Sequence, residues 1–133
     1  MLPSEGPHLT DWFARPVLHV TDVEASVRFY VDSLGFAVAW RHEHEGKLIV
    51  AQVERNGCAL ILDCNLSETA GNGTMFVSLD PQPWSKEAQA SALDALRAEF
   101  ADRGVPVKDG QWGYRVVMVA DPDGNTLMFN YTD

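Results

Sequence analysis

Apolar and polar residues alternate along the chain in short runs, broken twice by longer stretches of helical spacing. The first alternating run is "ARPVLHV" (14–20), with Pro16 near its start, where a strand tolerates a missing N–H. It gives way to "TDVEASVRFYVDSLG" (21–35), in which Val23, Val27, Tyr30 with Val31, and Leu34 recur on one helical face. Thr21 and Glu24 have the T-x-x-E spacing of a capping box, and Gly35 stands where a left-handed residue closes a helix. Three strand-like runs follow, "FAVAWRH" (36–42), "LIVAQVE" (48–54) and "CALILD" (58–63), joined by the turns "EHEGK" and "RNG".

The pattern then restarts. "GTMFVSLD" (73–80) predicts a strand and "WSKEAQASALDALRAEFADRG" (84–104) a longer helix, capped by Ser85, closed by Gly104, with Ala92, Leu96 and Phe100 stacked along it. Short "VPV" (105–107), "YRVVMVA" (114–120) and "NTLMFNY" (125–131) complete a second set of strands. The chain thus predicts an α+β fold of two βαβββ modules, 14–64 and 73–131, within a single domain, 14–133. The Gly/Ser/Thr/Asn-rich "NLSETAGNG" (65–73) links the modules, and residues 1–13 form an N-terminal extension without sustained periodicity.

Composition narrows the possible functions. The 133 residues are 46% hydrophobic and 22% charged, a globular balance, and no apolar run approaches the ~20 residues that span a bilayer. The first residues lack a basic segment followed by an apolar one, so a cytoplasmic protein is expected. Ten Lys and Arg against nineteen Asp and Glu give a formal charge of −9, which repels phosphate backbones and anionic lipid. Neither nucleic acid nor membrane is therefore an expected partner. Cys58 and Cys64, if on one strand, lie about 20 Å apart and read as unbridged buried thiols.

Two stretches carry a more specific signal. "VTDVEASVRFYVDSLGF" and "DPDGNTLMF", in this order and spacing on two βαβββ modules, resemble the glyoxalase/bleomycin resistance/extradiol dioxygenase superfamily, whose fold is called vicinal oxygen chelate. The resemblance covers about 14–131. It implies that each module's sheet curls into a half-barrel, and that two halves enclose a cleft within one chain or across a homodimer.

Metal-dependent members place His and Glu ligands at equivalent strand positions. The resemblance maps these onto Arg15 (seven residues before Asp22), Thr74, Ile61 and Met128 (four after Gly124). A guanidinium offers no lone pair, and none of the other three supplies an imidazole or carboxylate. No metal or other cofactor is therefore expected at the family's position. His42 and His44 alternate with Glu43 and Glu45, a spacing that suits a metal, but they sit in a charged turn and read as a solvated hairpin tip. His19 shares strand parity with Arg15 and Val17, so it faces whatever Arg15 faces. The glycines of "GNG" (71–73) precede a strand rather than a helix and do not form a phosphate loop.

Metal-free bleomycin resistance proteins have a Trp-Gly before the strand that leads to the Asp-Pro-x-Gly-Asn turn, and in them the Trp borders the drug groove. By that resemblance Trp112 is a ligand contact, with Tyr114 and Val116 continuing along the strand face. Phe76, Ile61 and Met128 with Thr74 then supply a mostly apolar cleft with a few polar handles, as small-molecule sites usually have. The expected function is metal-independent binding and sequestration of a flat, cationic or aromatic small molecule, without catalytic residues. The alternative is a metal-dependent glyoxalase-like lyase or isomerase, or a dioxygenase, with a relocated metal site using His19. A third reading is an interaction module whose cleft is vestigial.

Overall fold

The computed structural model describes residues 10–111 and 115–131. Its elements run β1 (Val17–His19), α1 (Val23–Arg28), β2 (Ala37–His44), β3 (Lys47–Arg55), β4 (Cys58–Asp63), β5 (Thr74–Leu79), α2 (Lys86–Asp102), β6 (Lys108–Gln111), β7 (Arg115–Ala120) and β8 (Thr126–Tyr131). They form two four-stranded mixed sheets of matching topology, β1-β4-β3-β2 and β5-β8-β7-β6. In each sheet the first and last strands of the module pair in parallel and the others antiparallel. The repeat read from the sequence is thus present as two four-stranded sheets, and the fold is α+β with two modules.

One face of each sheet is closed by its helix. Leu18, Ala51, Val53, Leu60 and Leu62 of the first sheet and Met75, Val117, Val119, Leu127 and Phe129 of the second join α1 and α2 side chains in one continuous core. On α1 the predicted stripe is present: Val23, Val27, Tyr30 and Leu34 are all buried. After Arg28 the helix widens into one π turn, Phe29–Ser33, where Leu34 N–H reaches the Phe29 carbonyl, and Gly35 (φ 75°) closes it. On α2 the buried stripe is Gln89, Leu93 and Phe100, so it is rotated from the Ala92–Leu96–Phe100 line expected; Ala92 and Leu96 are only half-buried.

Two local expectations need correction. Asp22, not Thr21, caps α1, its carboxylate accepting from Ala25 N–H at 3.1 Å. Thr21 is drawn away because its hydroxyl donates to Asp123 Oδ1 at 2.7 Å, across to the other module. "VPV" is not a strand: Pro106 has no N–H to give a ladder, and pairing with β7 begins only at Lys108. The hairpins behave as expected, with Glu45-Gly46 and Asn56-Gly57 both at positive φ, the mark of the tight turn that suits strand twist. Cys58 and Cys64 are half-buried and unbridged.

The "DPDGN" turn is the junction of the modules. Asp121, 5% exposed, accepts from the backbone N–H of Asp123 and Asn125, from Asn125 Nδ2, and from Tyr30 Oη of α1's extension. Asn125 Nδ2 also donates to the His19 carbonyl, and its Oδ1 accepts from Gly73 N–H. Burial first, then the neighbouring Asp121 carboxylate, pushes the Tyr30 hydroxyl well above the usual tyrosine range. A raised folded-state value leaves its stability contribution intact below the unfolded value of about 10 and removes it as pH climbs beyond. Stability is therefore expected to fall by up to about 1.4 kcal/mol per pH unit above pH ~10. Denaturant titrations between pH 9 and 11 check this, and the decline should flatten in Tyr30→Phe.

Candidate functional site

The sheet faces turned away from the helices carry the candidate chemistry, and strand register defines them. On the first sheet, Trp40 pairs with Gln52, Gln52 with Ile61, and Ile61 with Val17, giving one row across all four strands. The next row is His42, Val50, Asp63 and His19. Arg41, between Trp40 and His42, points the other way and pairs with Glu24 of α1 at 3.1 Å, which fixes the sidedness.

This face is a polar network built around one amide. Gln52, buried in the apolar run of β3, accepts through Oε1 from Trp40 Nε1 at 2.9 Å and also from Arg15 Nη1. Its Nε2 donates to Glu54 at 3.5 Å. With both donors on the oxygen, the amide orientation is fixed by the network. The Arg15 guanidinium also lies 5.2 Å from the Phe13 ring centroid, within cation–π range. His19 Nδ1 is 3.8 Å from Asp63 Oδ2, too far for a hydrogen bond, and has no such partner among the described residues. Asp63 is meanwhile engaged by Asn65 through its other oxygen.

The corresponding face of the second sheet mixes apolar and polar side chains. Lys108, Met118, Met128 and Phe76 lie in one row, and Gly110, Val116, Asn130 and Ser78 in the next. Ser78 Oγ donates to Asn130 Oδ1 at 3.1 Å. Phe76 is 41% exposed, whereas Met128 between it and Met118 is only 5% exposed. Thr74 stands at the exposed end of the same face.

The eight residues singled out from sequence are thus divided. Thr74, Phe76 and Met128 share the second sheet's face; His19 and Ile61 belong to the first sheet, and Arg15, just before β1, bonds to it through Gln52. Trp112 and Tyr114 lie outside the described residues. His42 and His44 are exposed on β2 beside the Glu45-Gly46 turn, the solvated hairpin tip expected. Sequence reasoning missed Trp40 and Gln52. The available signal was a lone amide inside "LIVAQV", since a buried polar side chain in an apolar strand requires a partner.

The four family metal positions do not fit a cation. Ile61 sits on the first sheet with Arg15 in the segment just before β1, Thr74 and Met128 sit on the other sheet, and the Arg15 guanidinium brings a positive charge of its own. Among the described residues no three His, Cys, Asp or Glu side chains gather closely enough to hold a metal. No described helix is long and apolar enough to cross a membrane.

A groove of ≈ 820 Å³ adjoins the second sheet's open face at Phe76 and Ser78 and runs past Pro16, Leu34, Phe36, Leu96 and Phe100. Arg55 and Glu99 pair within it at 2.7 Å, tying β3 to α2, and Arg55 also donates to the Leu34 carbonyl. Of the six nominated residues that are described, Phe76 alone lines it. The Arg55–Glu99 pair across it ties the two modules together, and the open sheet faces carry the nominated polar and aromatic residues.

Two mixed sheets of identical strand order, each with one face left open by its helix, define a paired-βαβββ protein. The chain belongs to the glyoxalase superfamily: the model of a glyoxalase superfamily protein matches residues 11–133. Among solved structures it is similar to the antibiotic-binding protein TnmS3 from Streptomyces sp. CB03234, at 25% identity and a TM-score of 0.68, over 95% of this chain and 100% of that one. A bleomycin-binding protein from bleomycin-producing Streptomyces verticillus, complexed with copper(II)-bleomycin, aligns at 26% identity, a TM-score of 0.68 and the same coverage. Lactoylglutathione lyase from Agrobacterium tumefaciens shares the fold at 18% identity and a TM-score of 0.66, over 93% of this chain and 96% of that one. No curated protein matches the sequence.

Proposed function

We propose that this protein is a metal-independent small-molecule binder that sequesters a flat aromatic or cationic guest between open sheet faces, as a single domain of two modules, 14–64 and 73–131. The observation that carries the reading is what stands at the family's metal positions. Arg15, Thr74, Ile61 and Met128 replace the ligands, yet the faces bearing them keep exposed aromatic surface in Phe76 and Trp40. A site that had lost its purpose would gain nothing by leaving large apolar side chains in water. Similarity to an antibiotic-binding and a bleomycin-binding protein supports the same class of guest. The formal charge of −9 favours guests with some positive charge and disfavours polyanions.

A homodimer is part of the proposal. Val17, Trp40 and Phe76 are each more than a third exposed, and a second copy laid across these faces would cover them while closing a cleft. Trp112 and Tyr114 are proposed to line that cleft by their family resemblance.

The test joins metal content to binding. Protein expressed in metal-replete medium and dialysed is expected to hold no stoichiometric Ni, Zn, Fe or Mn, and a flat guest is expected to quench its tryptophan fluorescence. Loss of most of that quenching in Trp112→Ala would support the site, and an unchanged response would remove Trp112 from it. Stoichiometric metal together with an activity lost to chelator would replace this reading by the metal-dependent enzyme.

A further inference from the structure

We propose that Arg15 is the recognition element for an acidic group on the guest, so that the site selects a planar molecule bearing a carboxylate or similar oxyanion. This rests on the small-molecule reading above and, of its two guest classes, takes the flat aromatic one, with an acid read by a single local cation in a chain whose net charge otherwise favours positive guests. The observation is the disagreement at the first metal position: where the family implies a ligand for a cation, this chain supplies a cation. A metal and a guanidinium share one ability, which is to draw oxygen anions.

The geometry supports more than a stray surface charge. Arg15 spends one N–H on Gln52 Oε1, and none of the ion pairs among the described residues includes it. A guanidinium has five N–H donors, so a planar fork remains for a carboxylate to meet two at once. Gln52 is itself held by Trp40 and by Glu54, which locks its oxygen toward Arg15 and keeps the fork in one place. The nearest acid in this network, Glu54, is engaged by the far end of that amide and not by the guanidinium. Phe13, 5.2 Å from Arg15, and Trp40, which shares the Gln52 oxygen with Arg15, offer flat surfaces for the ring that carries the acid.

Three probes of one ring system test it: 2-naphthoate, 2-naphthylmethanol and 2-naphthylmethylammonium, titrated by tryptophan fluorescence and thermal shift. The expected result is that the acid binds at least about tenfold more tightly than the alcohol, the worth of a charge-assisted hydrogen bond. Arg15→Gln should bring the acid-to-alcohol ratio to about one, and Arg15→Lys should restore only part of it, because an ammonium lacks the fork. Equal affinities for acid and alcohol in the unaltered protein, or a ratio unchanged in Arg15→Gln, would overturn the inference and leave the binder reading standing. Binding of the ammonium alone would do the same and point to a purely cationic guest. If no probe binds at all, the sequestration reading falls together with this one. A thermal unfolding curve of unliganded Arg15→Gln shows whether that variant is folded, and Arg15→Lys carries the comparison if it is not.

Discussion

Asp121→Ala is expected to lower the unfolding free energy by about 3 kcal/mol or more, read as a drop in melting temperature of roughly 10 °C. The carboxylate sits 5% exposed and accepts four hydrogen bonds, from Tyr30 Oη, two backbone N–H groups and Asn125 Nδ2. Alanine removes every acceptor and leaves donors behind. Tyr30 and Asn125 are each fully buried, so water cannot replace what they lose without opening the seam. Recovering the hydration of a buried charge offsets part of this cost. Asp121→Asn separates the contributions: it keeps the volume and one acceptor oxygen but turns a second amide donor toward Tyr30 or Asn125. A cost below that of alanine, yet clearly above zero, is expected. Tyr30→Phe removes a single bond and should cost about 1 kcal/mol. The double variant Tyr30→Phe/Asp121→Ala should fall short of the sum of the singles, because both report on one contact. Additive losses would mean that Asp121 acts through its own turn alone and not through the seam between modules.

This site also shows how far the sequence was legible. "DPDGN" signalled a turn of defined type and, by resemblance, a family. That its two aspartates hold the other module required Tyr30 and Thr21, which are 91 and 102 residues away. Thr21 was misread as a cap for the same reason: local spacing favoured it, and a long-range carboxylate claimed its hydroxyl. Periodicity fared well where one contact partner dominates, as along α1. It failed on α2, where Leu96 and Ala92 turn toward the seam groove while Leu93 takes the core.

The candidate site divides along the same line. Thr74, Phe76 and Met128, grouped with Ile61 by family resemblance, share one face because period-two alternation holds in β5 and β8 and their parallel register sets Phe76 beside Met128, whereas Ile61 lies on the first sheet. Trp40 was not legible. The register of β2 shifts between Val38 and Trp40, so the two residues do not share a face as alternation would have them. Val38 stands opposite Val53 of the core, whereas Trp40 stands opposite Gln52 on the open face. A single irregularity in one strand thus created the partner that orients Gln52, and alternation alone could not announce it.

Gly71→Ala is the second large effect, and a matched control makes it decisive. Gly71 has φ +87°, and a Cβ there would lie 2.2 Å from the Asp123 carbonyl oxygen. Backbone meets backbone, so no rotamer relieves the contact. Either the linker or the Asp-Pro-Asp-Gly turn must move, and Asp123 is the residue that Thr21 holds from the first module. Gly46 at the β2–β3 turn has a similar φ of +79°, but an added Cβ meets nothing within 4 Å. Gly46→Ala therefore measures the cost of a left-handed alanine alone, about 1 kcal/mol. Gly71→Ala should cost that amount plus the displacement of the turn, in total roughly 3 kcal/mol. Parallel denaturant melts of the two variants give the difference directly. If it exceeds about 1.5 kcal/mol, close packing of linker on turn is what fixes the modules together. Equal losses would show that the linker yields freely. The seam would then be held by Asp121, Asn125 and the Arg55–Glu99 pair without help from the segment that joins the two halves.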